Sequence, residues 1–137
     1  IMISDSVSGD TVKTMSLYIE IVLFNSALAS HSIGMALGRE QSLMKASVLY
    51  GVVAQLLATC TMPEDTSTSI LTLLALNNKA LIHYDKCEYV HSADCMQHIL
   101  KIMGSVHGLH SVLNHKDIEG LMLNGMLLST PTTAQAA

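Results

Sequence analysis

The sequence predicts an all-α fold, an antiparallel array of about five helices joined as hairpins. Three observations predict it. Half of the 137 residues are hydrophobic, yet aromatic residues make up only 4% and Trp is absent. The apolar mass is therefore Leu, Ala, Ile, Val and nine Met, a mixture rich in the flexible, helix-favouring fillers of packed helices. Only Pro63 and Pro131 interrupt the chain. No alternating pattern of useful strand length occurs, except VKTMSLYIE near the start.

The elements come in order along the chain. Residues 1–14 are polar, with Gly, Asp, Ser and Thr, and are expected to form an irregular lead-in. From about Ser16 to Leu37 the apolar positions fit a mostly buried helix, ended by the glycines of GMALGRE (34–40). A second helix is expected from about Gln41 to Thr59. TCTMPEDTSTS (59–69) reads as a linker holding Pro63 and hydroxyl residues suited to capping the next helix. A third helix is expected from about Ser69 to Tyr84 and a turn at DKCEY. A fourth helix runs from about Tyr89 to at least Met103, with a helical period continuing through SVHGLHSVL. NHKD (114–117) is another turn signal, and DIEGLMLNGMLL (117–128) is the last apolar segment. The domain organisation is thus a lead-in (1–14), one helical domain (15–128) and a flexible tail (129–137).

Charge and cysteines narrow the function classes. The formal net charge is −4 and the seven Lys/Arg lie singly along the chain, so no basic stripe for nucleic acid exists. Three cysteines in no framework spacing read as reduced thiols of an intracellular, cytoplasmic protein; the organelle is left open. IMISDSVSGD lacks the pattern of a signal peptide. LYIEIVLFNSALASHSIGMAL (17–37) is long and apolar but contains Glu20, Asn25 and His31, each costly in lipid. A soluble, non-membrane-spanning chain is expected.

Three segments align on one asparagine: EIVLFNSALA on Asn25, LALNNKALI on Asn78 and GLMLNGMLL on Asn124. Ala27 and Ala80 stand two positions on. After Asn78, Tyr89, Ser92, Met96 and Ile99 follow at helical spacing. This pattern, NNKALIHYDKCEYVHSADCMQHIL above all, resembles the tetratricopeptide repeat (TPR). Ala80 matches that family's small first-helix site and Tyr89 its aromatic site. Ser92 stands where Ala is usual, and Cys87 where the turn Gly is usual. In the first unit, Leu43, Ala46, Tyr50 and Val53 match the second helix, but the turn through GMALGREQ is longer than the family's. Both intervals exceed the family's roughly 34-residue period. The whole chain, down to DIEGLMLNGMLLSTPTTAQAA, is also similar to a group of TPR-like proteins of diatoms that have no established activity.

The resemblance implies a non-catalytic scaffold or adaptor. Its hairpins stack, and its first helices line a concave face that takes a peptide or helix. In that frame the face presents Ile21, Phe24, Leu28, His31 and Ser32 from the first unit, and Leu74, Asn77, Leu81, Tyr84 and Asp85 from the second. Phe24, Leu28, His31, Asn77, Leu81, Tyr84 and Asp85 are the candidate partner-binding residues. Phe24 and Leu28 occupy the Lys and Asn positions of the family's carboxylate clamp, so the expected partner is a helical or hydrophobic segment of another protein. Helical spacing alone leaves open whether these residues form a groove or core.

Seven His and three Cys raise a metal reading. His91, Cys95 and His98 share one face of the fourth helix, with His83 and Cys87 near the turn; His107, His110 and His115 lie farther along. No Cys-x-x-Cys or His-Glu-x-x-His motif occurs, and exposed histidines on a polar face explain the spacing. No metal or cofactor is assigned. No nucleophile has an oxyanion hole near it, no carboxylates converge and no phosphate loop is present, so no enzyme is expected. The alternatives are a metal- or small-ligand-binding helical protein using the His/Cys face, or a structural subunit of a larger assembly.

Overall fold

The computed structural model describes residues 5–59, 66–106 and 108–129. The chain is all-α. Helices α1 (Asp5–Leu37), α2 (Glu40–Thr59), α3 (Thr66–Asp85), α4 (Tyr89–Ser105) and α6 (His115–Ser129) carry the fold, with a single turn, α5 (Leu109–Val112), between the last two. Among the described residues no strand occurs, and VKTMSLYIE lies inside α1.

Residues 5–14 are helical, not an irregular lead-in. Once α1 is nucleated by packing farther along, extending it costs no new nucleus. Residues 1–4, the centre of the expected linker (60–65) and the tail beyond Ser129 lie outside the described residues. The α1–α2 turn is also shorter than expected, since Glu40 already belongs to α2. Gly38 takes a left-handed φ of 61°, and the Arg39 amide donates to the Gly34 carbonyl at 3.0 Å, so the helix closes and reverses within two residues.

The α3–α4 turn repeats that device without glycine. Cys87 has φ 59°, the Glu88 amide donates to the His83 carbonyl (2.8 Å), and the Cys87 amide donates to the Tyr84 carbonyl (2.9 Å). At the start of α6, Asn114 Oδ1 accepts from the Asp117 amide at 2.9 Å, an N-cap where the turn was expected.

Packing is mainly between chain neighbours. Helix α1 lies on α2, α2 on α3, α3 on α4 and α4 on α6; α3 also meets α1 on one side and α6 on the other. Two cores result. Ala27, Ala46, Tyr50, Val53, Ala75 and Ile82 close the α1–α2–α3 side. Leu73, Leu76, Ala80, Met96, Ile99, Leu121 and Leu128 are central to the α3–α4–α6 side. Small residues set the spacing. Gly34 admits Leu43, whose Cδ2 would stand 2.6 Å from a Cβ there. The buried Ser92 hydroxyl donates to the Ala80 carbonyl at 2.9 Å, tying α4 to α3.

The expectation that α1 is mostly buried is corrected. Only 11% of its most apolar stretch, within Gly9–Leu37, is buried, and Gly9–Leu37 is long and apolar enough by length and composition to cross a membrane. The reason is topological. Helix α1 opens the array and packs mainly on α2 and α3, so the far half of its surface faces outward.

Candidate functional site

The seven candidate residues divide between α1 and α3. On α1, Leu28 is exposed, while Phe24 and His31 are half-buried. Phe24 packs its ring against Tyr50 at a centroid distance of 5.7 Å, so part of it is core. His31 stands edge-on to the same ring, with Nδ1 3.4 Å from the Tyr50 hydroxyl. On α3, Leu81 and Tyr84 are half-buried against the α3–α4–α6 core, and Tyr84 meets Tyr89 edge to face at 5.2 Å. Asn77 Oδ1 accepts from Asn124 Nδ2 at 2.8 Å, binding α3 to α6. Asp85 is exposed at the end of α3.

Of these seven, Leu28 falls on one helix row and Leu81 and Asp85 on another. Helical periodicity puts Ile21, Leu28 and Ser32 in one row on α1 and Leu74, Leu81 and Asp85 in a matching row on α3. All but Leu81 are exposed. Helix α1 touches α3, and Asp85 at the end of α3 acts on His31 of α1. Burial holds the His31 imidazole below its ordinary range, and Asp85 works in the opposite direction.

Helix α6 carries the same register as α1 and α3. Leu127 follows Asn124 by the interval at which Leu28 follows Asn25 and Leu81 follows Asn78. Leu123 holds the position of Phe24 and Asn77, and both Leu123 and Leu127 are exposed. The signal was present in the alignment of the three asparagines. The asparagines themselves have different uses: Asn25 is exposed, Asn78 Nδ2 donates to the Tyr50 hydroxyl at 3.2 Å, and Asn124 donates to Asn77.

The His/Cys face of α4 does not assemble. Cys95 is buried, while His91 and His98 are exposed and Met96 and Ile99 fill the core. Among the described residues no group of three His, Cys, Asp or Glu side chains is placed to hold a metal ion. Near the α3–α4 turn His83 stacks obliquely on His91 at 5.3 Å and donates from Nδ1 to Glu88 Oε2 at 2.6 Å. Lys86 reaches the other Glu88 oxygen at 3.0 Å, and these two bonds hold the Glu88 carboxyl below its usual range. A depression of about 170 Å³ beside this cluster is lined by Met44, Val48, Ile82 and His83 among others. It is smaller than an ordinary small-molecule site of roughly 300 Å³ or more. It lies on the α2 side of α3, away from the leucine rows.

No family model matches the chain, and no curated protein or solved structure matches it.

Proposed function

We propose that the chain is a non-catalytic protein-interaction module of TPR-like kind, which takes a helical or hydrophobic segment of another protein along the face formed by α1, α3 and α6. The observation that carries this reading is the leucine row. Leu28, Leu81 and Leu127 occupy one register on three successive hairpin helices, and Leu28 and Leu127 are 44% and 66% exposed. Exposed apolar residues flanked by polar ones are the composition of a partner-binding surface. Helix-to-next-helix packing, with α3 touching both α1 and α6, supports the repeat-like arrangement. His31, Asn77, Tyr84 and Asp85 edge the row and set the register of the bound segment.

The test is capture from the source cells by the wild-type chain and by a Leu28→Glu, Leu127→Glu variant, followed by titration of the captured segment. Both residues are exposed, so circular dichroism of the variant should match wild type. A segment that binds wild type and loses at least about tenfold in affinity for the variant supports the module, tenfold being about 1.4 kcal/mol. Equal binding to both removes this face from the function.

A further inference from the structure

The outward side of α1, about a third of a turn round the helix from the leucine row, carries a second pattern. Val12, Met15, Ile19 and Val22 are spaced alternately three and four apart, and Ser26, Ala29, Ile33 and Ala36 continue the same spacing. This is the a/d repeat of a coiled-coil seam held for eight consecutive positions, about 36 Å of helix. All eight are exposed, Val12 and Val22 by about two thirds (64% and 66%). Between Thr14 and Gly38 the only Asp, Glu, Lys or Arg of α1 is Glu20, which is fully buried on the other side. A seam that apolar, with no charge beside it, is built to be covered by a helix.

Its sizes indicate which helix. The first half of the seam is large and the second half is mostly small. In an antiparallel pair of α1 helices centred between Val22 and Ser26, Val22 faces Ser26 of the other copy and Ile19 faces Ala29. Met15 then faces Ile33 and Val12 faces Ala36. Every layer pairs an a position with a d position, as antiparallel coiled coils require, and three of the four layer types join a large residue to a small one. Only the Met15–Ile33 layer sets two large residues together. A parallel pair would set Met15 on Met15 and Ala29 on Ala29, crowding one end and leaving voids at the other. The seam is its own complement under a two-fold axis, the usual symmetry of a homodimer. Eight seam residues and their flanking stems bury roughly 600 Å² per copy, about 1,200 Å² for the pair, which reaches the size of a specific interface.

We infer that the chain forms an antiparallel homodimer through the outer seam of α1, with Val22 and Ser26 of the two copies in contact at its centre. This dimer leaves the α1–α3–α6 leucine row open.

Sedimentation equilibrium of the full chain over a hundredfold concentration range tests it. The expected species has twice the 14.7 kDa chain mass. Val22→Glu should raise the dissociation constant by about a hundredfold or more, with unchanged circular dichroism, because Val22 makes no core contact. Orientation is read by mixing a Val22→Cys chain with a Ser26→Cys chain under mild oxidation and mapping the linked peptides. The mixed disulfide should form faster than either self-linked one. A wild-type chain that stays monomeric throughout overturns the inference, including one that instead floats with phosphatidylcholine vesicles. So does a dimer indifferent to Val22→Glu, or Val22→Cys chains that link to themselves faster than to Ser26→Cys.

Discussion

The Tyr50 hydroxyl of α2 accepts a hydrogen bond from Asn78 Nδ2 of α3 at 3.2 Å, across 28 residues of chain. His31 of α1 meets the same hydroxyl through Nδ1 at 3.4 Å. One phenol, fully buried at its ring, thus joins the first three helices. Which of His31 and Tyr50 donates in this second contact follows the imidazole tautomer.

Tyr50→Phe keeps the ring contacts with Phe24 and His31 and removes the shared hydroxyl. The half-buried Asn78 amide then loses its acceptor. We expect a loss of about 1–2 kcal/mol, read as a lowered urea midpoint with an unchanged m-value. No loss would show that water replaces the bond.

Stability should fall as pH drops below the ordinary histidine value. The folded state holds the His31 pKa down by burial, so between the unfolded pKa of about 6.5 and the lower folded one, the unfolded chain binds the extra proton. His31 therefore favours the fold fully above that range and loses its contribution as pH falls through it. The difference in urea midpoint between wild type and His31→Gln should shift between pH 7.5 and pH 5.5 in that direction. A pH-independent difference would show that His31 titrates alike in both states.

Two glycine-to-alanine changes should have opposite signs. A Cβ on Gly34 meets Leu43 Cδ2 at 2.6 Å and the Leu43 backbone nitrogen at 3.0 Å, so α1 and α2 must part. About 1–3 kcal/mol of destabilisation is expected for Gly34→Ala. A Cβ on Gly120, inside α6, meets nothing within 4 Å. Gly120→Ala should stabilise by about 0.5–1 kcal/mol through helix propensity alone. Thermal melts of the pair decide both.

At the α3–α4 turn, an L-residue in the left-handed region carries a cost of roughly 1–2 kcal/mol that glycine avoids. Cys87→Gly should raise stability by a few tenths to about 1 kcal/mol, less than the full cost because glycine gains freedom in the unfolded chain. A lower melting temperature would mean that the thiol's contact with Tyr89 outweighs the backbone strain.

The two described thiols should differ in reactivity. Cys87 is exposed and Cys95 is buried, and burial pushes the Cys95 thiol above its ordinary range. Timed iodoacetamide labelling with peptide mapping should mark Cys87 within minutes and Cys95 only as the fold opens. Equal rates would place α4 in fast local unfolding.

The helices were legible because their punctuation is strong. Gly38, Asn114 and the hydrophobic period of α3 and α4 mark ends and faces that packing respects. The start of α1 was not, because DSVSGDTVKT is weakly helical by composition and is helical only as an extension of a longer element. The exposure of α1 was not legible either. An apolar helix covered on all sides and one covered on a single side have the same composition, and only its place at the end of the array separates them. Among site residues, Leu28 and Asp85 are exposed. Phe24 and Asn77 share a register with them but are partly drawn into contacts with Tyr50 and Asn124, which no spacing encodes.

Helix α3 belongs to both cores, contributing Ala75 and Ile82 to one and Leu73, Leu76 and Ala80 to the other. It therefore acts as the chain's keystone during opening and closing. Because nearly every helix rests on its sequence neighbours, either hairpin can form early from short-range encounters, and α3 then relays order from one to the other. Amide exchange should be slowest along the middle of α3 and quicken toward both ends of the chain, a gradient rather than a single threshold.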